Sequence, residues 1–87
     1  MMEKTMVTYS LSGKKNALEL TRKIYGYIDS SNHGKYKYER PGILTEIDYE
    51  KVGNGVFFIN PVDLNKITTE FKKINLKIKV YNLIIKT

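Results

Sequence analysis

The residues best suited to chemistry lie between positions 33 and 40, where the sequence HGKYKYER alternates cations with tyrosines. Lysine and arginine neutralise phosphates, and a tyrosine ring offers a flat face on which a base can stack. In an extended strand Tyr36, Tyr38 and Arg40 would share one side, while Lys35 and Lys37 would lie on the other. The segment therefore predicts a nucleic-acid surface. The structural alternative is an ordinary edge strand that its lysines protect from aggregation.

A second basic pair, Lys14 and Lys15, stands where the sequence predicts the first helix to begin. Free backbone N–H groups and the helix dipole already make a helix N-terminus positive, so cations there are usually unfavourable. A bound phosphate would relieve that repulsion. We therefore predict that both lysines contact phosphate. The alternative is that both side chains extend into water at little cost.

His33 is the single histidine and offers a catalytic alternative. An imidazole can exchange a proton near neutral pH, for example with an RNA 2′-hydroxyl. Catalysis requires assembled partners, and no carboxylate pair or second histidine stands nearby in the sequence. We therefore expect an exposed turn histidine and no catalytic residue. A small metal-independent ribonuclease that uses His33 is the alternative function.

Three acids, Glu46, Asp48 and Glu50, alternate along a predicted strand. Carboxylates can hold Mg²⁺, but a spacing of two along a flat strand spreads them apart, so we predict neither a metal nor a cofactor. In the predicted sheet this strand and the strand carrying Lys77 and Lys79 lie at opposite edges. Two copies could then set acids against lysines about a two-fold axis. A protein-assembly module that dimerises through its sheet is therefore a further alternative.

Hydrophobic periodicity predicts six elements. Apolar residues that alternate with period two indicate strands, and apolar residues spaced three and four apart indicate helices. The resulting order is β-α-β-β-α-β, which predicts an α+β, ferredoxin-like sandwich with two helices on one face of a four-stranded antiparallel sheet. The predicted strands are residues 5–11, 43–52, 56–59 and 76–81, and the predicted helices are residues 14–28 and 61–74.

Composition limits the class of protein. The 87 residues are 41% hydrophobic and 28% charged, which predicts one globular domain over residues 1–87. No apolar run approaches the roughly 20 residues that cross a bilayer, and the N-terminus is unlike a secretory signal, so we expect no membrane partner. Cysteine is absent, which excludes disulfides and favours a cytoplasmic location. The net charge of +6 favours polyanionic partners.

Together these features predict a small basic nucleic-acid-binding domain that acts as a homodimer without enzymatic activity. Phosphates would bind at the start of helix 1, and bases would stack on the Lys/Tyr segment. The same residue types serve RNA and DNA, and single and double strands, alike. The predicted binding residues are Lys14, Lys15, Lys35, Tyr36, Lys37, Tyr38 and Arg40.

Overall fold

The computed structural model describes residues 2–31 and 34–85. Within them the strands are β1 (Met2–Tyr9), β2 (Tyr27–Ser31), β3 (Tyr36–Arg40), β4 (Tyr49–Gly53), β5 (Val56–Ile59) and β6 (Ile78–Ile85). The helices are α1 (Ala17–Tyr25) and α2 (Leu64–Lys73), with short 3₁₀ helices at Ile43–Glu46 and Pro61–Asp63.

The strands form two separate antiparallel sheets. The main sheet has the order β4-β5-β1-β6, while β2 and β3 form a hairpin of their own. The chain is therefore α+β, but the predicted ferredoxin-like βαββαβ sandwich is wrong. That prediction counted four strands, because it ran the first helix to Ile28, into the first two residues of β2, ended it at Asp29 and treated the Lys/Tyr segment as a loop or a short strand. These residues instead pair with each other and make an independent two-stranded sheet between α1 and β4.

Two glycines mark the point where the hairpin leaves the body of the molecule. Gly26 has a φ of 79°, and its N–H donates to the carbonyl oxygen of Arg22 at 2.7 Å, so α1 ends there. A Cβ on Gly42 would overlap the backbone of Gly26. The two ends of the hairpin therefore pass each other in close contact at Gly26 and Gly42, which is possible because neither residue carries a side chain. The predicted helix over residues 14–28 is too long at both ends, since α1 spans only Ala17–Tyr25.

The predicted strand over residues 43–52 is wrong in its first half. In an extended strand Leu44 would lie on the same side as the acids, but its side chain is 0% exposed. The 3₁₀ helix turns Leu44 into the core, and the Thr45 hydroxyl accepts a hydrogen bond from the Gly42 N–H at 2.8 Å. Burial of a large apolar side chain thus outweighs the alternating pattern. Glu46 lies outside β4, so the predicted acidic stripe does not form one strand face.

The second helix follows the sequence more closely. The predicted start at Pro61 is a 3₁₀ turn that leads directly into α2. The predicted stop at Asn75 is a residue with a φ of 55°, a conformation in which asparagine is tolerated after a helix. No helix in the described ranges is long and apolar enough to span a membrane.

One apolar core lies between the main sheet and the two helices. Full burial of an apolar side chain of this size contributes roughly 1.5–3 kcal/mol, so this core supplies most of the stabilising burial. In β2 and β3, by contrast, every side chain is exposed except that of Asp29, which is half-buried. The core residues are Val7, Leu20, Ile24, Leu44, Phe57, Ile59, Ile67, Phe71 and Leu76.

Candidate nucleic-acid interface

The hairpin presents one aromatic side. Strand pairing sets Tyr27 opposite Arg40 and Asp29 opposite Tyr38, with Tyr36 two residues before Tyr38 on the same strand. Directly paired residues point to the same side of a sheet, so the three rings form one row along the hairpin. Their exposed fractions are 38% for Tyr27, 46% for Tyr36 and 50% for Tyr38. We call these three residues the tyrosine face.

The predicted division of the Lys/Tyr segment into two sides is confirmed within β3. Tyr36, Tyr38 and Arg40 share one side by strand alternation, and Lys37 lies on the other. Lys35 precedes β3, so strand alternation does not assign it to a side. The rings therefore remain available on one surface, as base stacking requires.

Tyr27 is a candidate that the sequence prediction missed, because the predicted helix ran through it. Gly26 indicates the true end of the helix in the sequence, since glycine commonly follows the last residue of a helix. With α1 ended, Tyr27 opens β2, and its ring centroid lies 4.7 Å from Cζ of Arg22 in the last turn of α1. The tyrosine face therefore begins against α1 and runs outward along the hairpin.

A cation lies beside each of the other two rings as well. Cζ of Arg40 is 5.8 Å from the ring centroid of Tyr38, and Nζ of Lys35 is 5.9 Å from that of Tyr36. Exposed contacts of this kind contribute about 0.5–1 kcal/mol, because the positive group meets the negative face of the ring. Each ring is thereby accompanied by a group that can also bind a phosphate.

An open groove of about 640 Å³ joins Lys15 to the base of the hairpin. Arg22 and Lys23 of α1 line it, together with Tyr27 and Pro41 at the two ends of the hairpin. Lys15 therefore lies in one groove with Tyr27 and Pro41 at the base of the hairpin, but no residue of the Lys/Tyr segment itself lines this groove. Lys14 is not among the residues that line this groove.

Lys14 and Lys15 do not lie in the first turn of α1, so the predicted repulsion with the helix dipole is wrong. Helix α1 begins at Ala17, so Lys14 and Lys15 precede its first turn, which instead carries the acid Glu19. Lys14 lies in a turn in which its N–H donates to the carbonyl oxygen of Leu11 at 3.0 Å. The two cations are therefore not in the N-terminal turn of the helix, and relief of repulsion with its dipole is not a reason for them to bind phosphate.

Two exposed ion pairs lie on this surface. Lys23 and Glu19 are 3.3 Å apart, and Arg40 and Asp29 are 3.4 Å apart. Such exposed pairs are weak, so a phosphate can compete with the acid for either cation. Within residues 2–31 and 34–85, no ion pair involves Lys15, Arg22 or Lys35 of this surface, or Lys37 on the other side of the hairpin.

A second, smaller groove lies between β1, α1 and the β4–β5 turn. It measures about 390 Å³, and in it the hydroxyls of Tyr9 and Tyr25 are 3.2 Å apart. Burial, together with that hydrogen bond, raises the pKa of Tyr9, so its hydroxyl stays protonated at physiological pH and is no base. Nζ of Lys51 lies 4.9 Å from the ring centroid of Tyr25.

The described residues show neither a catalytic group of side chains nor a metal site. His33 lies outside the described residues, so the ribonuclease alternative remains an untested prediction. The Lys66 ammonium, 2.8 Å from the Glu46 carboxylate, lowers the pKa of Glu46 and already neutralises this acid. The described ranges contain no group of three or more His, Cys, Asp or Glu side chains that could hold a metal ion.

Comparison of the chain with protein-family models, with curated proteins and with solved structures gives no match. Function must therefore be inferred from the residues of this chain and from their arrangement.

Proposed function

We propose that this chain binds single-stranded nucleic acid, with bases stacked on the tyrosine face and phosphates held by the adjacent cations. The observation that carries the proposal is the row formed by Tyr27, Tyr38 and Tyr36. All three rings are exposed, all lie on one side of the hairpin, and each has a cation within 6 Å of its centroid. Stacking on exposed aromatics beside positive groups is the usual chemistry of sequence-tolerant single-strand binding.

The spacing of the rings suits separated bases. Tyr36 and Tyr38 are two residues apart on β3, or about 7 Å at a rise of about 3.4 Å per residue, whereas Tyr27 lies on β2 opposite Arg40. Successive nucleotides of one strand in a duplex are about 3.4 Å apart along the axis. One base plane can therefore fit between the rings of Tyr36 and Tyr38 at about 3.4 Å from each, whereas the guanidinium of Arg40, which is paired with Tyr27, lies 5.8 Å from the Tyr38 ring centroid. A strand held in this way has its bases separated from each other and stacked on protein.

This geometry favours single strands over duplexes. A two-stranded ribbon can also enter the major groove of DNA, where it reads base edges. Base edges are contacted by hydrogen-bonding side chains, whereas the exposed row here consists of three aromatic rings. Base faces are hidden inside a duplex stack and are accessible in a single strand.

Fluorescence anisotropy tests the proposal directly. Labelled single-stranded RNA, single-stranded DNA and a DNA duplex of equal length are titrated with the protein at a low and a high salt concentration. We expect both single strands to bind more tightly than the duplex, and all affinities to fall with salt, because binding releases counterions. Binding that favours the duplex, or that is unchanged by salt, would contradict the proposal.

Two further statements belong to the proposal. The chain acts in the cytoplasm, which its lack of cysteine supports. It also acts as a homodimer, and of the three acids first suggested for the interface only Glu50 lies within β4, at one edge of the main sheet.

A further inference from the structure

The side of the main sheet that faces away from the helices has no cover within the described residues. In β1, Val7 is buried against the helices, so Met6 and Thr8 point to the other side. The strand register then places one continuous row across the sheet. That row runs Glu50, Phe58, Met6 and Tyr81, from β4 through β5 and β1 to β6.

This side is unusually apolar for a sheet surface in contact with water. A solvated face of an antiparallel sheet normally carries mainly polar side chains. Here Tyr81 is 46% exposed and Met2 49%, while Met6 and Phe58 are half-buried even without a partner. We define the open face by these and the other residues that share their side of the register: Met2, Lys4, Met6, Thr8, Glu50, Val56, Phe58, Lys79, Tyr81, Leu83 and Ile85.

Charges at the two edges of the open face are opposite in sign. Glu50 lies on β4 at one edge and Lys79 on β6 at the other, and both are exposed. Neither forms an ion pair within residues 2–31 and 34–85. Between the edges the face is mainly apolar, and its one charged group there, the ammonium of Lys4, donates a hydrogen bond to the side-chain oxygen of Asn60 at 3.4 Å. A partner surface must therefore offer a cation at one edge, an anion at the other and mainly apolar groups between them. A second copy of the same face meets all three requirements.

We propose that two copies of this chain pack face to face through the open face, with Glu50 of each copy beside Lys79 of the other. A two-fold axis parallel to the strands, midway between the sheets, sets β4 of one copy over β6 of the second and β5 over β1. Stacked sheets lie about 10 Å apart, a gap that the side chains of both faces fill. Glu50 comes level with Tyr81 of the second copy, and Lys79 lies two residues, about 7 Å, further along β6, a distance that its long side chain can span. The edges then form two equivalent ion pairs, as a two-fold interface requires.

The same operation explains the centre of the face. Because β5 lies over β1 of the second copy, the ring of Phe58 meets the thioether of Met6 from that copy. Contacts between sulfur and an aromatic ring are favourable, and methionine fills irregular gaps between packed surfaces. The central contact is apolar and the rim is charged, which is the usual organisation of a stable interface.

Charge reversal with rescue tests this arrangement. The mass of the protein in solution is measured by light scattering across a dilution series for the wild type, Glu50→Lys, Lys79→Glu and the double variant. Both residues are exposed, so the fold should tolerate each change, and circular dichroism checks that it does. Matched controls reverse exposed charges elsewhere, with Glu39→Lys on the hairpin and Lys72→Glu on α2.

We expect the mass of two chains for the wild type, both controls and the double variant. Each single reversal should shift the transition to monomer toward at least ten times higher protein concentration, because it sets two pairs of like charges together. A wild type that has a mass other than that of two chains at the highest protein concentration overturns the proposal, as does a double variant that dissociates as readily as the single variants. The hairpin takes no part in this interface. The nucleic-acid titration therefore tests the proposed function, the mass measurement tests the proposed dimer, and either proposal can fail while the other holds.

Discussion

The body of the molecule and the hairpin use aromatic residues for different purposes. In the body, the ring of Phe71 lies 6.1 Å from that of Phe57 and 5.7 Å from that of Tyr9, and both phenylalanines are 0% exposed. In the hairpin, half of the Tyr38 surface remains in contact with water. The aromatic rings in the body therefore stabilise the fold by packing, whereas the rings of the tyrosine face are exposed and contribute little to that packing. This difference is the physical reason to assign the hairpin to binding.

The largest effect should follow the loss of a ring from the body. Phe71→Ala removes the side chain of α2 that contacts both Phe57 and Tyr9. We expect the free energy of unfolding to fall by about 3–5 kcal/mol, because the change leaves a cavity in a packed core. Urea denaturation followed by circular dichroism measures the loss. A loss of about 1 kcal/mol or less would show that this core is not as tightly packed as the ring contacts indicate.

The crossing of the two hairpin ends should be the next most sensitive place. Gly42→Ala introduces a methyl group that overlaps the backbone of Gly26, so the two chains must separate. We expect destabilisation of about 1–3 kcal/mol, together with loss of nucleic-acid binding, because the hairpin changes its orientation relative to α1. Urea denaturation and anisotropy report the two effects.

Gly53→Ala is the matched control for that substitution. No atom lies within 4 Å of a Cβ added at Gly53, and its φ is not in the left-handed region. Its stability should change by about 0.5 kcal/mol or less, and binding should be unaffected. Equal effects at Gly42 and Gly53 would mean that the close approach at the crossing has no special role.

Rings of the hairpin should affect binding and leave stability almost unchanged. Tyr38→Ala should weaken single-strand binding by about 5- to 150-fold, which corresponds to about 1–3 kcal/mol of stacking. Tyr38→Phe keeps the ring and should bind like the wild type. Both variants should unfold within about 0.5 kcal/mol of the wild type, because Tyr38 is exposed. If alanine and phenylalanine variants bind equally, the tyrosine face does not stack bases.

The same comparison explains how far the sequence could predict this molecule. Residues whose burial follows a regular period, such as Val7 in β1 and Ile67 in α2, were assigned correctly to strand and helix. Leu44 was not, because a single 3₁₀ turn buries it and one turn is too short to produce a period. The β2–β3 pairing was missed because its side chains are exposed, so they carry no apolar alternation for a prediction to read.

The candidate site could likewise be predicted only as far as local alternation reaches. Local alternation was sufficient to place Tyr36 and Tyr38 on one side of an extended segment. The addition of Tyr27 depends on where α1 ends and on the pairing of two strands across a turn. Strand pairing depends on tertiary structure. The one sign of it in the sequence is Gly26, whose conformational freedom allows the helix to end before Tyr27.

Single cations should make a smaller contribution that shows in the salt dependence. Lys37→Gln removes one exposed cation of the hairpin, and each phosphate contact to a single strand contributes about 0.7 to the slope of log affinity against log salt. We expect the slope to become shallower by about that amount. Lys72→Gln on α2 serves as the control, because it removes an equal charge from outside the proposed surface. Equal slopes for Lys37→Gln and the wild type would place Lys37 outside the binding surface.

The smallest effect should come from the ion pair that links the hairpin's exit to the body. Lys66 on α2 lowers the pKa of Glu46, so in the folded chain this carboxyl titrates below its value in the unfolded chain. The pair therefore stabilises the fold above the unfolded-state pKa, and this contribution is lost as the pH falls through the folded-state value. Glu46→Gln should slightly lower the melting temperature at about pH 7, and this difference should shrink as the pH is lowered through the folded-state pKa of Glu46, because the carboxyl then loses its charge in the wild type. A difference that stays the same size across an acid pH series would show that Glu46 acts through packing and not through its charge.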